Sequence, residues 1–578
     1  MYLAETPLVT PGRTPDPAAP AALEPPEQWH RVLTLLCAVS LFIGTRTIWT
    51  QAASHRLVVA AVISLCYVSI LVCGVLAPTV RLGRSLARVD LCLLLTAVTL
   101  VLCAWVMNPH GNDEAVLTAQ AARAIVDGDP VYGQPWPWLF GHGIALTPTM
   151  HGGYDYTYGY PPLAPLLTAP LLWIGPDGVP ATAMGTGALV VGAVTMWRML
   201  PAPWRPTATM VCLGFSFLPM FGRQGYPAIV ALALLIPVVV RWPRIGRGGR
   251  LGGAGIARAA CLGAACAAQQ LPWFVTPFLL AGLYAVRRGE LGPRAAAGVL
   301  LRVAGVAVTV WLLINAYFVV REPRNWLGGI VLPLTQDAII HGQGLVGVSL
   351  YYTDGSDRLE WYGHASKLLL VGLLVLYVLF VRRLGPAATV LPWFAFFLAT
   401  RSQDGYYQLM TPLWLAAAVT APLSEFAGAW QPRPRPLAGA HRRPARIAAA
   451  VLVVVPALAS ATAGATGTPP LDMRLASVRR ASSTAVSLLA VRVENTGDDA
   501  LAPHFTLTTG QGFSPYWTIE KGPRTLSAHT TAVYEIRPPS GKFRFPRAGV
   551  RVRLRAFTGA PQTLSSTDVT KALRAPLN

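Results

Sequence analysis

Apolar residues fill the first 466 positions of this chain in long blocks that hold almost no charge, separated by short arginine-rich or aromatic stretches. Crossing a lipid core takes about 20 apolar residues in a helix. The blocks at 32–50, 57–77, 89–107, 180–199, 206–221, 225–241, 256–271, 273–287, 295–320, 365–381, 386–400, 406–424 and 446–466 therefore predict about thirteen spans. The run 160–174 (Tyr-Pro-Pro-Leu-Ala-Pro-Leu-Leu-Thr-Ala-Pro-Leu-Leu-Trp-Ile) is different. About 15 residues of helix reach only ~22 Å, short of a ~30 Å core, and the prolines weaken the helix further.

Charge placement tests that exclusion. If 160–174 crossed, the basic stretch Arg241, Arg244, Arg247, Arg250 and Arg258 would face outward, against the preference for positive loops on the cytoplasmic side. If it lies at the interface as a juxtamembrane or re-entrant helix, the arginine clusters all fall on the cytoplasmic side: Arg81, Arg84 and Arg88, then Arg198 to Arg205, Arg241 to Arg258, Arg287-Arg288, Arg382-Arg383 and the run Arg433 to Arg446. The outer face then holds loops 108–179 and 321–364, a short connection around Arg401 to Tyr406, and everything beyond about residue 467. Loops this long in a compact bundle usually carry function.

Beyond 468 the period changes from helical to two. Ser487-Leu-Leu-Ala-Val-Arg-Val-Glu494, Thr531-Ala-Val-Tyr-Glu-Ile536 and Gly549-Val-Arg-Val-Arg-Leu-Arg555 alternate, with turn signals at Asn495-Thr-Gly-Asp498, Pro538-Pro-Ser-Gly541 and Thr558-Gly559 between them. The expected architecture is an all-α polytopic transmembrane bundle over 32–466 with a small C-terminal all-β extracytoplasmic domain over 468–578, sandwich-like. Residues 1–31, rich in Pro, Ala and Glu with no apolar core, read as a disordered cytoplasmic tail.

Composition agrees with lipid and removes several function classes. With 53% hydrophobic residues, 13% charged residues and a mean hydropathy of +0.46, the chain is too apolar for a soluble protein of 578 residues. The formal net charge of +21 sits in inter-span clusters, so no nucleic-acid partner is expected. The eight cysteines lie in or beside apolar stretches without metal-ligand spacing and read as small buried hydrophobes. Arginine far outnumbers lysine and Ala, Gly and Pro abound, a composition of high-GC bacterial genomes. No phosphate-binding Gly-x-x-x-x-Gly-Lys-Ser/Thr loop, His-Glu-x-x-His or Gly-x-Ser-x-Gly occurs, which argues against an ATP-driven pump, a zinc protease and a serine hydrolase.

The first outer loop opens with Asn108-Pro-His-Gly-Asn-Asp-Glu-Ala, and Asp113 and Glu114 start an amphipathic helix running to Val126. Acids at a helix start are stabilised by its dipole, which is a sufficient structural reason for them. Their position just beyond a span also puts them at the headgroup level, within reach of a lipid phosphate. Trp136, Trp138, Phe140 and the run Tyr154-Asp-Tyr-Thr-Tyr-Gly-Tyr-Pro-Pro-Leu163 fit an interfacial aromatic belt, with sugar stacking the minority reading. Asp155 and Tyr158 within that run are candidate substrate contacts. Arg321, Arg324 and His341 in the second loop and Arg401, Gln403 and Asp404 at 401–404 are candidate phosphate and substrate binders, Arg401 first among them. Any one arginine near a span end more often simply reaches for lipid headgroups. Gln343, in Gly342-Gln-Gly-Leu-Val346, marks a close backbone approach or a plain loop, and Gln269-Gln270 stand where a cavity would be lined.

The order Asn112-Asp113-Glu114, a helix, Gly128-Asp129-Pro130-Val131-Tyr132 and Tyr158-Gly-Tyr-Pro-Pro-Leu163 resembles the first periplasmic loop of GT-C fold glycosyltransferases, polytopic enzymes that use polyprenyl-phosphate sugars. The resemblance covers about residues 89–425, in motifs that are short. Two spans precede the one leading into the catalytic loop, a departure that leaves the subfamily open. The resemblance implies a bacterial cell-membrane enzyme taking a polyprenyl-phosphate-linked sugar and a glycan, lipid or protein acceptor, with Asp113 as catalytic base and Glu114 as its understudy. The donor already carries a stable anionic leaving group, so one base and phosphate-binding cations suffice, with inversion at the sugar carbon. No cofactor is called for with certainty. A divalent metal at Asp113, Glu114 and Asp155 stays open as an alternative, although hard cations need more oxygen ligands than these supply. Two rivals remain in view: a transporter or flippase for lipid-linked glycans, which expects ionisable groups at mid-membrane, and a non-catalytic envelope scaffold binding through Phe513, Tyr516 and Trp517, residues whose commoner use is core packing.

Overall fold

The computed structural model describes residues 27–81, 83–140, 148–432, 442–482, 484–510, 512–544, 546 and 549–574. Most of the expected N-terminal tail and most of the Arg433 to Arg446 run lie outside them. The first helix starts at Glu27, a few positions before the apolar block itself.

Among the described residues seven helices are long and apolar enough to cross a membrane: Gln28–His55, Leu57–Thr79, Arg84–Met107, Val179–Met199, Pro293–Arg321, Glu360–Leu379 and Ile447–Ala465. The helix Leu57–Thr79 shows why such a segment belongs in lipid. Its 23 residues extend about 35 Å. Ala60, Ile63, Cys66, Ile70, Cys73 and Ala77 pack inward at three- and four-residue spacing, while Leu57, Val58, Leu65, Val68 and Leu71 are more than half exposed. A uniformly apolar outer face has no partner but acyl chains. The cysteines are all free, and Cys66 and Cys73 pack inward as small apolar side chains do.

Seven of the thirteen expected blocks thus form membrane-length apolar helices, and the remaining runs form shorter, broken or charge-ended elements. Block 206–221 breaks where Phe215 and Ser216 take positive φ, giving Arg205–Leu213 and Phe217–Arg223. Block 225–241 yields the 13-residue helix Pro227–Val239, about 20 Å long. Blocks 256–271 and 406–424 become helices of 16 and 17 residues, Gly253–Ala268 and Asp404–Thr420. Leu271–Leu291 is longer but ends in Arg287, Arg288 and Glu290. Proline-bearing 386–400 forms only 3-10 turns, Gly385–Ala387 and Leu391–Leu398. Leu213, Leu218, Ile229, Leu262, Leu279, Trp393 and Leu413 from these pieces are buried in one core with the long helices. The 160–174 run forms two short helical pieces, Leu163–Thr168 and Ala169–Ile174, too short together to match a ~30 Å core.

The C-terminal strands build two antiparallel sheets sharing a core of Leu471, Val491, Phe505, Leu507, Trp517, Tyr534, Ile536, Val552 and Leu554. Ala485–Asn495, Thr531–Arg537 and Val552–Gly559 fall where the alternation places strands. One sheet is completed from the second loop: Gly355 and Ser356 pair with Ser565 and Leu564. Arg553 donates to Asp354 Oδ1 at 2.8 Å and to Thr353 O at 3.0 Å. Tyr516 donates to Thr149 O at 2.8 Å, and Gln562 to Asp337 Oδ1 at 2.7 Å. The β domain thus sits on both long loops, and Met150, Ile339, Val346, Tyr362, Ala461 and Phe557 form a shared apolar cluster beneath it.

Candidate active site

The helix Asp113–Asp127 begins where the sequence expects, but its cap is Asn112, whose Oδ1 accepts the Ala115 N–H at 3.4 Å. Both acids therefore remain available. The first turn is wedged in place: a Cβ on Gly225 (φ 77°) would lie 2.7 Å from the Ala115 side chain, so glycine is required there. Thr182 accepts the Trp105 indole N–H at 3.0 Å and donates to Pro109 O at 2.6 Å, tying the preceding helix to the same corner. The downstream Gly128–Tyr132 segment is a helix stop. Gly128 is left-handed, Asp129 N–H returns to Ala124 O at 2.8 Å, and the Glu322 carboxylate accepts the Val131 and Tyr132 N–H groups at 3.2 and 3.3 Å.

Tyr160 donates its hydroxyl to Glu114 Oε1 at 2.8 Å. Its own position is braced by Tyr132, which donates to Tyr160 O at 2.9 Å, and by Gln270, which donates to Gly159 O at 2.9 Å and Ile330 O at 2.7 Å. Gln270 is thus buried bracing, and half-buried Gln269 accepts the Leu271 N–H. Tyr158 is fully buried against the rings of Tyr132 and Tyr160 and donates to Pro161 O at 3.4 Å, a supporting wall to the site.

Burial separates the two acids electrically. It pushes the Glu114 carboxyl up to about 8, the Asp113 charge adds to the rise, and Tyr160 and Arg401 oppose it. Asp113 is also raised by burial but is held back by the Glu114 N–H, which its Oδ1 accepts at 3.0 Å, and by Arg401. At neutral pH Glu114 therefore holds its proton, whereas the Glu114 N–H and Arg401 favour the charged form of Asp113.

Arg401 sits in a short parallel pairing, His341 opposite Arg401 and Gly342 opposite Ser402. A Cβ on Gly342 (φ 135°) would meet Ser402 O at 2.1 Å, so the pairing depends on that glycine. With its amide oriented to satisfy both neighbours, Gln336 donates to Asp155 Oδ2 at 3.2 Å and accepts from Arg401 Nη1 at 3.2 Å. Asp155 Oδ1 takes the Thr157 hydroxyl at 2.6 Å and its N–H at 3.0 Å. Asp113, Glu114, Asp155, His341 and Arg401 are therefore brought to one neighbourhood from three separate segments.

The other candidates fall elsewhere. Arg321 is spent on Tyr317 Oη and Gly128 O and stacks over the Tyr317 ring at 5.6 Å. It shares with Arg324 a separate hollow lined by Pro130, Gln134, Glu322 and Asn325. Gln343 is exposed, its N–H held by Ser402 O at 2.7 Å, in a cleft with Tyr351, Phe397 and Leu458. Gln403 caps the Asp404–Thr420 helix through its backbone, accepting the Tyr406 N–H at 3.2 Å. The side chain of Asp404 lies outside the described residues. Among the described residues no group of three or more His, Cys, Asp or Glu is arranged to hold a metal ion. Asp155, committed to Thr157 and Gln336, does not join Asp113 and Glu114 as a third ligand, so the divalent metal weighed from sequence does not fit.

Sequence reasoning missed Tyr160 as a partner of Glu114, although it stood within the quoted tyrosine run. It also missed Gln336, which no local pattern marks, and Tyr226, whose phenol lies toward Asn112 and both carboxylates. No protein-family model matches this chain, and no curated protein matches it.

Proposed function

We propose that the chain is a membrane-embedded glycosyltransferase of GT-C-like architecture that moves a sugar from a polyprenyl-phosphate donor to an acceptor on the β-domain face, with inversion. The observation that carries this reading is the placement of Asp113 and Glu114 in one electrostatic field with Arg401, in the first turn of a helix directly beyond an apolar membrane-length helix. Asp113 takes the proton of the acceptor hydroxyl. Arg401, with His341 paired beside it, meets the phosphate that leaves, and Glu114, neutral and fixed by Tyr160, keeps the site at a single negative charge.

The arginine distribution supports the orientation. Far from the β domain, Arg244 pairs with Glu425 at 2.9 Å, Arg287 donates to Pro243 O at 2.7 Å, Arg288 lies 3.7 Å over the Trp430 ring and Arg382 donates to Ala429 O at 2.8 Å. An arginine-rich end reads as cytoplasmic, which supports an extracytoplasmic reading of the carboxylate pair and the β domain in a bacterial plasma membrane. The test incubates membranes with a panel of radiolabelled polyprenyl-phosphate sugars, wild type against Asp113→Asn. Asp113-dependent transfer from one donor is the expected result; absence of such transfer from every donor rejects the reading in favour of a flippase or a scaffold.

A further inference from the structure

The strand Val552–Gly559 is buried on both faces. Val552, Leu554 and Ala556 enter the sandwich core, whereas Arg553, Arg555 and Phe557 point onto the second loop. Arg553 is a docking residue, with its bonds to Asp354, Thr353 O and Leu350 O. Arg553 leaves only its Nε without a partner among the described residues, whereas Arg555 is far less accounted for. It is 1% exposed, bonds Leu350 O through Nη2, and leaves Nε and Nη1 buried without a hydrogen-bond partner among the described residues. Such donors are costly to bury and call for an acceptor.

Two more unpartnered buried nitrogens lie close by, His341 Nδ1 and Arg401 Nε. Phe513 bridges the group: its ring centroid is 5.8 Å from that of His341 and 5.2 Å from the Arg555 guanidinium carbon. Burial, Arg401 and Arg555 together push the His341 imidazole below its ordinary range, as three basic groups facing one another would. Burial draws Arg555 down only to about 10, so it stays a cation at neutral pH. Beside them runs a cleft of about 540 Å³ formed by Gly342, Gln343, Tyr351, Phe397, Leu398 and Leu458. Arg555 stacks over the Tyr351 ring at 5.5 Å, and Leu458 belongs to the last membrane-length helix. The cleft therefore adjoins the basic cluster through Gly342 and Tyr351, and its apolar wall continues onto the helix Ile447–Ala465, where Leu458 is 46% exposed.

We infer that Arg555, presented by the C-terminal β domain, completes with Arg401 and His341 an anion site for a phosphate monoester carried on an alkyl chain. The phosphate fills the unpartnered donors and the chain lies along the Phe397–Leu458 cleft. The site stands on its own geometry; only its identification as the donor's lipid phosphate rests on the glycosyltransferase reading. On this view the β domain is part of the binding machinery.

The experiment is equilibrium binding of radiolabelled dodecyl phosphate, and separately of inorganic phosphate, to the purified full chain in non-ionic detergent. Dodecyl phosphate is expected to bind saturably and at least about tenfold more tightly than inorganic phosphate. Arg555→Gln should weaken it by about tenfold or more, and Arg555→Lys by less. Arg553→Gln, which loosens the same strand from the same loop, should leave binding within about twofold, because both Arg553 Nη groups are already committed to Asp354, Thr353 O and Leu350 O. Wild-type binding in Arg555→Gln, an equal loss in Arg553→Gln, or equal affinity for inorganic phosphate each overturns the inference. The glycosyltransferase reading fails separately: saturable, Arg555-dependent binding without Asp113-dependent transfer leaves this site standing and that reading fallen.

Discussion

Arg321 and Arg401 end membrane-adjacent segments and read alike in sequence, yet the fold gives them opposite circumstances. Arg321 is exposed and spends its guanidinium on Tyr317 and Gly128 O, holding the end of one helix to the stop of another. Arg401 is half-buried, keeps a buried Nε without a partner among the described residues, bonds Gln336, and bears on the charge of both Asp113 and Glu114. The difference lies in which donors remain uncommitted once the fold is made. An arginine that has already satisfied its fork braces the structure; one with buried, idle N–H groups is poised for an anion.

The largest expected effect tests the carboxylate that Arg401 faces. Asp113→Asn keeps the shape and the Glu114 N–H contact but removes the base, and should lower transfer by about 10²- to 10⁴-fold with membrane expression unchanged. Transfer near the wild-type rate would remove Asp113 from the mechanism. Next comes Arg401→Gln, which should lower kcat by about 10²-fold, the scale of losing one preorganised donor to developing charge. Measuring kcat and KM separately matters here, since a change confined to KM would make Arg401 a ground-state anchor only.

Glu114→Gln should act through pH more than through rate. Glu114 stays neutral up to about 8 because burial and Asp113 oppose its charge, while Tyr160 and Arg401 only partly offset them. Above that value a second negative charge forms beside Asp113, so wild-type transfer should fall with rising pH, by about tenfold per unit well past the midpoint. Stability carries the same sign. Between the ordinary carboxylate value of 4.5 and about 8 the folded chain holds a proton that the unfolded chain has released, so this contribution is full at low pH and lost as pH rises. Glutamine mimics the neutral acid, so the alkaline limb should disappear in Glu114→Gln. A limb that persists unchanged belongs to another group.

What was legible in the sequence follows from which signals are local. Period-two alternation located the strands at 485–495 and 531–537, and an acid pair following Asn112 located the helix start. Span number was legible only in part, because Pro227–Val239 and Gly253–Ala268 are apolar but short, with Ile229, Leu235 and Leu262 buried in the bundle, and composition alone does not separate an interior helix from a crossing one. Arg551, Arg553 and Arg555 alternate as a solvated face would, yet a loop some 200 positions upstream buries the last two. The Asp155–Gln336–Arg401 chain joins three segments that no window of sequence contains.

The smallest expected effect completes the contrast. Arg321→Gln should leave transfer within about threefold of wild type, since the side chain belongs to a separate hollow with Arg324 and has no described contact with Asp113, Glu114 or Arg401. Its cost should be structural and modest, roughly 0.5 kcal/mol, because the bonds it makes are solvent-exposed and glutamine can still reach one acceptor. A thermal-unfolding midpoint measured with the transfer assay separates the alternatives. If Arg321→Gln lowers transfer as much as Arg401→Gln while the midpoint holds, then a committed guanidinium is serving substrate after all, and idle donors are not what distinguishes the two arginines.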